Sequence, residues 1–290
     1  MCYNPAVIID SHTHIFAPEV IASRARYILA DSGFAELYSH PSSRMATAEN
    51  LIDSMDNSGV DMSIVCGFNW GSQKLCSESN SYILDSVRRY PDRLIGLAAL
   101  RPDAGDAALY DFENCVKGGI RGIGEMRPPA KCLDTSFDNV WTPLASILVE
   151  RGLLCLFHSS EPVGHPYTGK GDLTPEVLYP FIKRFPGVKF ILAHWGGGMP
   201  FYELMPEVKK ALANTWFDTA ASGYLYDRMI FEQVIRLTGS ERILFGSDYP
   251  LVPQQKYIKD IEGLGLSPGD ILKIMGNNTM NLLGKTDGRK

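Results

Sequence analysis

Four of the six histidines in this 290-residue chain stand where short apolar runs end. His12 and His14 follow the run Val7–Asp10, His158 follows Leu153–Phe157, and His194 follows Lys189–Ala193. Two carboxylates are placed the same way, Glu125 after Ile120–Gly124 and Asp248 after Ile243–Phe245. Imidazole and carboxylate together are ligands for a borderline divalent ion, zinc first, with manganese, iron or cobalt as alternatives. Side chains alternate faces along a strand, so His12 and His14 point to the same side. An ion held there lowers the pKa of bound water from 15.7 toward about 7. A carboxylate beside such an ion can orient that water and accept its proton. Each residue also has a plain reading: a lone histidine can be a satisfied core residue, and Asp248, in Gly246-Ser247-Asp248-Tyr249-Pro250, can be a turn residue or helix cap. The placement lifts the set, because separate run ends carry such groups and the intervening segments do not.

The apolar runs are the strands that must position them. Val7–Asp10, Met62–Cys66, Leu94–Leu100, Ile120–Gly124, Leu153–Phe157, Lys189–Ala193, Trp216–Thr219 and Ile243–Phe245 are nearly continuous in hydrophobicity. Parallel strands buried on both faces read this way. Between them lie helical patterns at 47–58, 79–90, 106–117, 139–150, 175–184, 200–213, 227–237 and 256–264. Eight strands, each followed by a helix, in this length predict a (β/α)8 TIM barrel, one domain over residues 1–290. Active groups then belong at the C-terminal strand ends. A doubly wound open sheet would want a glycine fingerprint after the first strand, and Asp10-Ser11-His12-Thr13-His14 is nothing like one. Residues 15–46 form a long insertion after strand 1, expected to be a lid or binding element. Residues 267–284 are expected to form two short C-terminal helices that close the barrel.

Composition narrows the class. Hydrophobic residues make up 45% and charged residues 21%, which is globular, and 28 basic against 33 acidic residues give a net charge of −5. With no basic block, nucleic acid and anionic membrane are not expected partners. No run is long enough to span a bilayer and the start does not read as a signal peptide. The six cysteines form no CxxC, so reduced thiols in a cytoplasmic protein are expected.

The run Asp10-Ser11-His12-Thr13-His14, then His158, then Ala193-His194-Trp195-Gly196-Gly197-Gly198, then Gly246-Ser247-Asp248-Tyr249-Pro250, resembles the amidohydrolase superfamily, and within it amidohydrolase family 2. The resemblance spans nearly the whole chain and keeps motif order. It implies a metal-dependent barrel in which His12, His14 and His158 are imidazole ligands. Asp248 would hold the metal-bound water, and His194 would polarise substrate or bind a second ion. Glu125 resembles the bridging glutamate of two-metal members, so one or two ions are implied. The branch contains C–N and C–O hydrolases, lactonases and non-oxidative decarboxylases such as aminocarboxymuconate-semialdehyde decarboxylase, and relatives of this kind commonly form homodimers.

The expectation drawn is a hydrolase that cleaves a small amide, lactone or ester of a carboxylated small-molecule substrate. The alternative is a non-oxidative decarboxylase on the same metal site, which the Gly196–Gly198 run keeps alive. A non-catalytic binding barrel is disfavoured, since it needs no proton acceptor beside a metal. Arg101, Arg127 and Lys170 lie just beyond strands 3, 4 and 5, where they could hold a carboxylate or phosphate or be solvated loop charges. Glu161 and His165 sit on a loop that could overhang the pocket, and Phe68, Asn69 and Trp70 could form an apolar wall.

Overall fold

A computed structural model describes residues 7–284. Eight parallel strands follow one another: β1 (Ile9–His14), β2 (Met62–Cys66), β3 (Leu94–Gly96), β4 (Gly122–Met126), β5 (Leu154–Phe157), β6 (Lys189–Leu192), β7 (Thr215–Asp218) and β8 (Ile243–Leu244). They pair in chain order as two arcs, β1–β3 and β4–β8. Parallel bridges from Ala98 to Ile123 and from Thr13 to Tyr249 join the arcs at both seams. The Ser11 N–H donates to the Phe245 carbonyl at 2.7 Å across the second seam. This is the expected (β/α)8 barrel, closed so that no long edge is left unpaired.

The two-residue period of the strands divides the core into two layers. Ile64, Leu97, Leu154, Leu156, Ile191 and Leu244 fill the barrel interior. Cys155 and Phe157 point outward and pack beneath the helical ring. β1 runs on to His14 and β4 to Met126, so His12, His14 and Glu125 lie within the last pleats of their strands.

The insertion contains three short helices, α1 (Pro18–Ala22), α2 (Arg24–Ala30) and α3 (Ser32–Tyr38). Helices this short do not persist alone, so tertiary contacts hold them. Asp31 makes two of these. One carboxylate oxygen caps α3 by accepting the Phe34 N–H at 2.8 Å, and the other accepts the Gly71 N–H at 2.5 Å. Phe34 stacks on Trp70 at 4.8 Å and on Tyr38 at 4.7 Å, with Phe16 and Phe68 edge-on to it. The insertion is therefore docked over the ends of β1 and β2.

The next helix, α4 (Ala48–Ser58), is opened by Thr47 and Asn50, each accepting the other's backbone N–H, and stopped by Gly59 at φ 70°. Two expectations change. The 200–213 helix is split into a 3-10 turn, Met199–Leu204, and a helix, Pro206–Ala211. Pro206 forces Met205 into extended backbone and breaks the run. The tail is not two separate helices, because Pro268–Leu272 winds through Lys273–Asn277 into Asn278–Leu282. Lys189 and Arg121 tie the end of this tail to the barrel floor through the Leu282 and Leu283 carbonyls. Cys66, Cys76, Cys115, Cys132 and Cys155 are free and buried, whereas Cys2 lies outside the described residues. Among the described residues no helix is long and apolar enough to cross a membrane.

Phe34 is fully buried in the aromatic cluster, and removal of such a ring costs about 3–5 kcal/mol. Phe34→Ala is expected to lower the urea midpoint and open residues 15–46 to protease before the barrel is cut. An insertion that stays resistant in this variant would show that α3 docks by other means.

Candidate metal centre

All six residues selected from the sequence meet at the C-terminal mouth of the barrel. The Nε2 atoms of His12 and His14 are 3.0 Å apart. Glu125 faces them from β4, with Oε2 at 3.5 Å from His14 Nε2 and 3.7 Å from His12 Nε2. Its other oxygen lies 3.0 Å from His158 Nδ1 and 3.5 Å from His194 Nε2. Asp248 Oδ1 closes the near side, 3.4 Å from His14 Nε2 and 3.8 Å from His12 Nε2. Glu125 thus belongs to two ligand triads, one with His12 and His14 and one with His158 and His194.

A seventh residue, not selected from the sequence, organises the others. Asp218 at the end of β7 is fully buried. Its Oδ2 accepts His12 Nδ1–H at 2.8 Å, and its Oδ1 accepts the backbone N–H groups of His194 and Ala220 at 2.9 and 3.0 Å. This fixes the His12 tautomer and leaves Nε2 facing the cluster. His194 Nδ1 is likewise turned to the Ala220 carbonyl at 3.1 Å. Asp218 was legible as the one carboxylate near the end of the seventh apolar run.

The backbone at the site is strained. His194, Trp195 and Asp248 have φ of 56°, 59° and 62°, a conformation costing about 1–3 kcal/mol each. Gly197 shares it at φ 59°, and a Cβ there would meet the Ser160 carbonyl oxygen at 2.3 Å. Close approach to the β5 loop therefore accounts for this glycine. Asp10 steadies the opposite seam. It accepts the Ser247 N–H, the Ser247 hydroxyl and the Gln254 amide at 2.9, 2.5 and 2.7 Å. Burial nonetheless pushes its carboxyl up to about 6.

The electrostatics call for positive charge at the centre. Burial disfavours a charged His12, yet Asp218 and Glu125 push its pKa well above the usual histidine value. Burial opposes ionisation of Glu125, but His12 and His158 hold it well below the carboxylate range. His14 is lowered by burial and by its neighbour His12, and His158 is lowered by burial. Against its own burial, Glu125 and Asp248 push His194 up to about 9. The four atoms around His12 and His14 lie 3.0–3.8 Å from one another in the measured pairs. Ligands on one ion at about 2.1 Å are separated by roughly 3.0–3.4 Å. The donor set, its spacing and its field fit a divalent cation.

The remaining selected residues are dispersed. Arg101 forms a two-pronged pair with Asp103 at 2.9 and 2.7 Å. Lys170 donates to the Val163 carbonyl at 2.8 Å and pins its own loop. His165 is exposed beside Tyr167, and Trp70 is buried in the aromatic cluster behind the site. Arg127 is the one near the centre: a Cβ built on Gly171 would lie 3.3 Å from its Nε and 3.6 Å from His158 Cδ2. The sequence reading also passed over Tyr38 of α3, whose hydroxyl is raised by burial and by the charges of Asp248 and Glu125.

Comparison with known proteins places this arrangement. The family model Amidohydrolase (Amidohydro_2) matches residues 9–285. The chain belongs to this family. It is 22% identical over 244 residues to gamma-resorcylate decarboxylase from Polaromonas sp. (strain JS666 / ATCC BAA-500), covering 70% of this chain and 74% of that protein. The structure of 5-carboxyvanillate decarboxylase from Sphingomonas paucimobilis is similar, with a TM-score of 0.78 at 17% identity over 97% of this chain and 100% of that one. So is a dihydroxybenzoic acid decarboxylase from Polaromonas sp. JS666 with bound manganese and 2-nitroresorcinol, with a TM-score of 0.69 at 18% identity over 96% and 97% of the two chains. These likenesses overturn the expectation of a hydrolase, because the named relatives are decarboxylases. The residue types could not separate the two, since both chemistries draw on the same imidazole and carboxylate donors. The ion named is manganese, so the preference for zinc has no support.

Asp218→Asn keeps the shape but weakens the hold on the His12 tautomer. Losing such a partner typically lowers metal affinity about 10–100-fold, to be read by chelator competition; unchanged affinity would deny Asp218 this role. His194 binds its proton more tightly folded than unfolded. In chelator-treated protein its stabilisation is complete below the ordinary value of 6.5 and lost as pH rises through about 9. Urea midpoints should fall over that window, and His194→Asn should remove part of the fall. A parallel profile in the variant would contradict the raised pKa.

Proposed function

We propose that this chain is a metal-dependent, non-oxidative decarboxylase of a small carboxylic acid, with an aryl acid as the first choice. One observation carries the reading: a converging, largely enclosed His12–His14–Glu125–Asp248 donor set in a chain similar in sequence and in structure to proteins named as decarboxylases. His12, His14, Glu125 and Asp248 would hold the divalent ion, which in a similar structure is manganese. When bound, it supplies a Lewis acid that draws electron density from a substrate oxygen.

The rest is the work of this chain's own side chains. Departure of CO2 breaks the carbon–carboxylate bond and leaves its electron pair on the substrate carbon, which then takes one proton. The balance is RCOO⁻ + H⁺ → RH + CO2. His194 is suited to carry that proton at Nε2, because its Nδ1 is committed to the Ala220 carbonyl. In the metal-free protein Glu125 and Asp248 push its pKa up against burial, which favours a ring that carries a proton. Glu125 beside it offsets the imidazolium charge. Tyr38 and Phe68, in edge-on contact, offer an apolar side for a ring. Five buried free thiols support a reducing, cytoplasmic setting.

The test is turnover of aryl acids in H2¹⁸O and D2O, starting with gamma-resorcylate and 5-carboxyvanillate. CO2 release, no ¹⁸O in the organic product and one deuterium at the vacated carbon are expected, with activity lost on chelation and restored by manganese. His194→Asn should lower kcat by about 10²–10⁴. Oxygen from water in the organic product would sink the proposal.

A further inference from the structure

The insertion helix α3 sends one acidic side chain across the mouth of the barrel. Both oxygens of Glu36 lie 3.4 Å from the same guanidinium nitrogen of Arg127, just beyond β4. Glu36 Oε1 also accepts the backbone N–H of Gly169 at 3.3 Å, from the loop after β5. A guanidinium and a backbone N–H converging on one carboxylate make an anion cradle. Gly169 suits it, since φ is 96° and a Cβ would press to 3.0 Å from Leu37 Cδ2.

The occupant is loosely held. All three contacts are long, and the side chain of Glu36 is 45% exposed against 19% for Arg127. Half-exposed pairs of this kind contribute little to stability, so an incoming anion can displace one. Arg127 is anchored separately, its backbone N–H donating to Asn69 Oδ1 at 3.0 Å. Its positive charge reaches His158, Tyr167 and Tyr38. The cradle therefore adjoins the metal centre on the side that carries His158. Arg101 and Lys170 are tied up elsewhere.

We propose that Arg127 and the Gly169 N–H form the carboxylate-binding subsite of this protein, and that Glu36 is a tethered stand-in which a carboxylate ligand must displace. The proposal deepens the decarboxylase reading by naming where the acid group is received, and to that extent rests on it. Glu36 then sets apparent affinity without touching the reacting atoms. Neutralising it strengthens carboxylate binding, whereas loss of a purely structural ion pair leaves binding unchanged or weaker.

The experiment is calorimetric titration of the purified protein with benzoate, which carries a ring and a carboxylate and nothing else, and with neutral benzamide. Glu36→Gln is expected to bind benzoate about two- to sixfold more tightly, as removal of a weakly held internal competitor requires. Benzamide affinity should not change. Arg127→Met should abolish saturable benzoate binding, and adding Glu36→Gln to it should restore nothing. Glu19→Gln, on the exposed surface of α1, controls for net charge and should bind as the parent does. Circular dichroism verifies that each variant is folded. Equal or weaker benzoate binding by Glu36→Gln overturns the proposal, as does an equal gain in Glu19→Gln or in the Arg127→Met background. No turnover is read, so absent decarboxylation would count against the proposed reaction and leave this result standing.

Discussion

A single carboxylate, the largely enclosed Glu125, faces four imidazoles. Burial by itself would leave those rings neutral and the acid protonated. Together they invert that preference: Glu125 stays ionised, and positive charge is drawn to His12 and His194. Breaking such a cluster leaves an uncompensated charge in low dielectric, which is far more costly than the cluster is stabilising. Every element that reaches the mouth of the barrel is arranged around this constraint.

The arrangement is enforced from beneath. Asp218 on β7 fixes the His12 ring and the His194 backbone, and Asp10 on β1 gathers Ser247 and Gln254 beside Asp248. These bonds offset the cost of left-handed backbone at His194 and Asp248. Neither carboxylate needs to meet substrate, yet each decides where a ring or carboxylate that does is pointed. A closed barrel allows this, because residues distant in sequence end adjacent strands at the same height.

The insertion adds what a bare barrel lacks. Its aromatic residues lock to Phe68 and Trp70, and from that footing α3 carries Tyr38 and Glu36 toward the mouth. The barrel supplies the reactive donors and the insertion supplies the wall and the competing anion. Loops held on a rigid scaffold vary at little cost to the fold, so the surroundings of a donor set can change while the donors stay in place.

Much of this was legible in the residues. Continuous apolar runs have only a buried parallel sheet to enter, and a polar group at the end of a run has only the barrel mouth, so the fold and the six converging residues followed from local pattern. Asp218 was legible by the same rule, although its neighbours Trp216 and Phe217 made its run read as core. Arg101, Arg127 and Lys170 were indistinguishable as sequence, each a basic residue just past a strand. Only tertiary contacts separated them, by giving Arg101 to Asp103, Lys170 to its own loop and Arg127 to a loosely held carboxylate. Glu36 and Tyr38 were hidden because their partners lie far along the chain, and side-chain pairing across that distance has no local signature. The reaction itself was undecided for a chemical reason: imidazole and carboxylate hold an ion equally well for water activation and for decarboxylation, and the surroundings of the substrate, which only the folded chain assembles, choose between them.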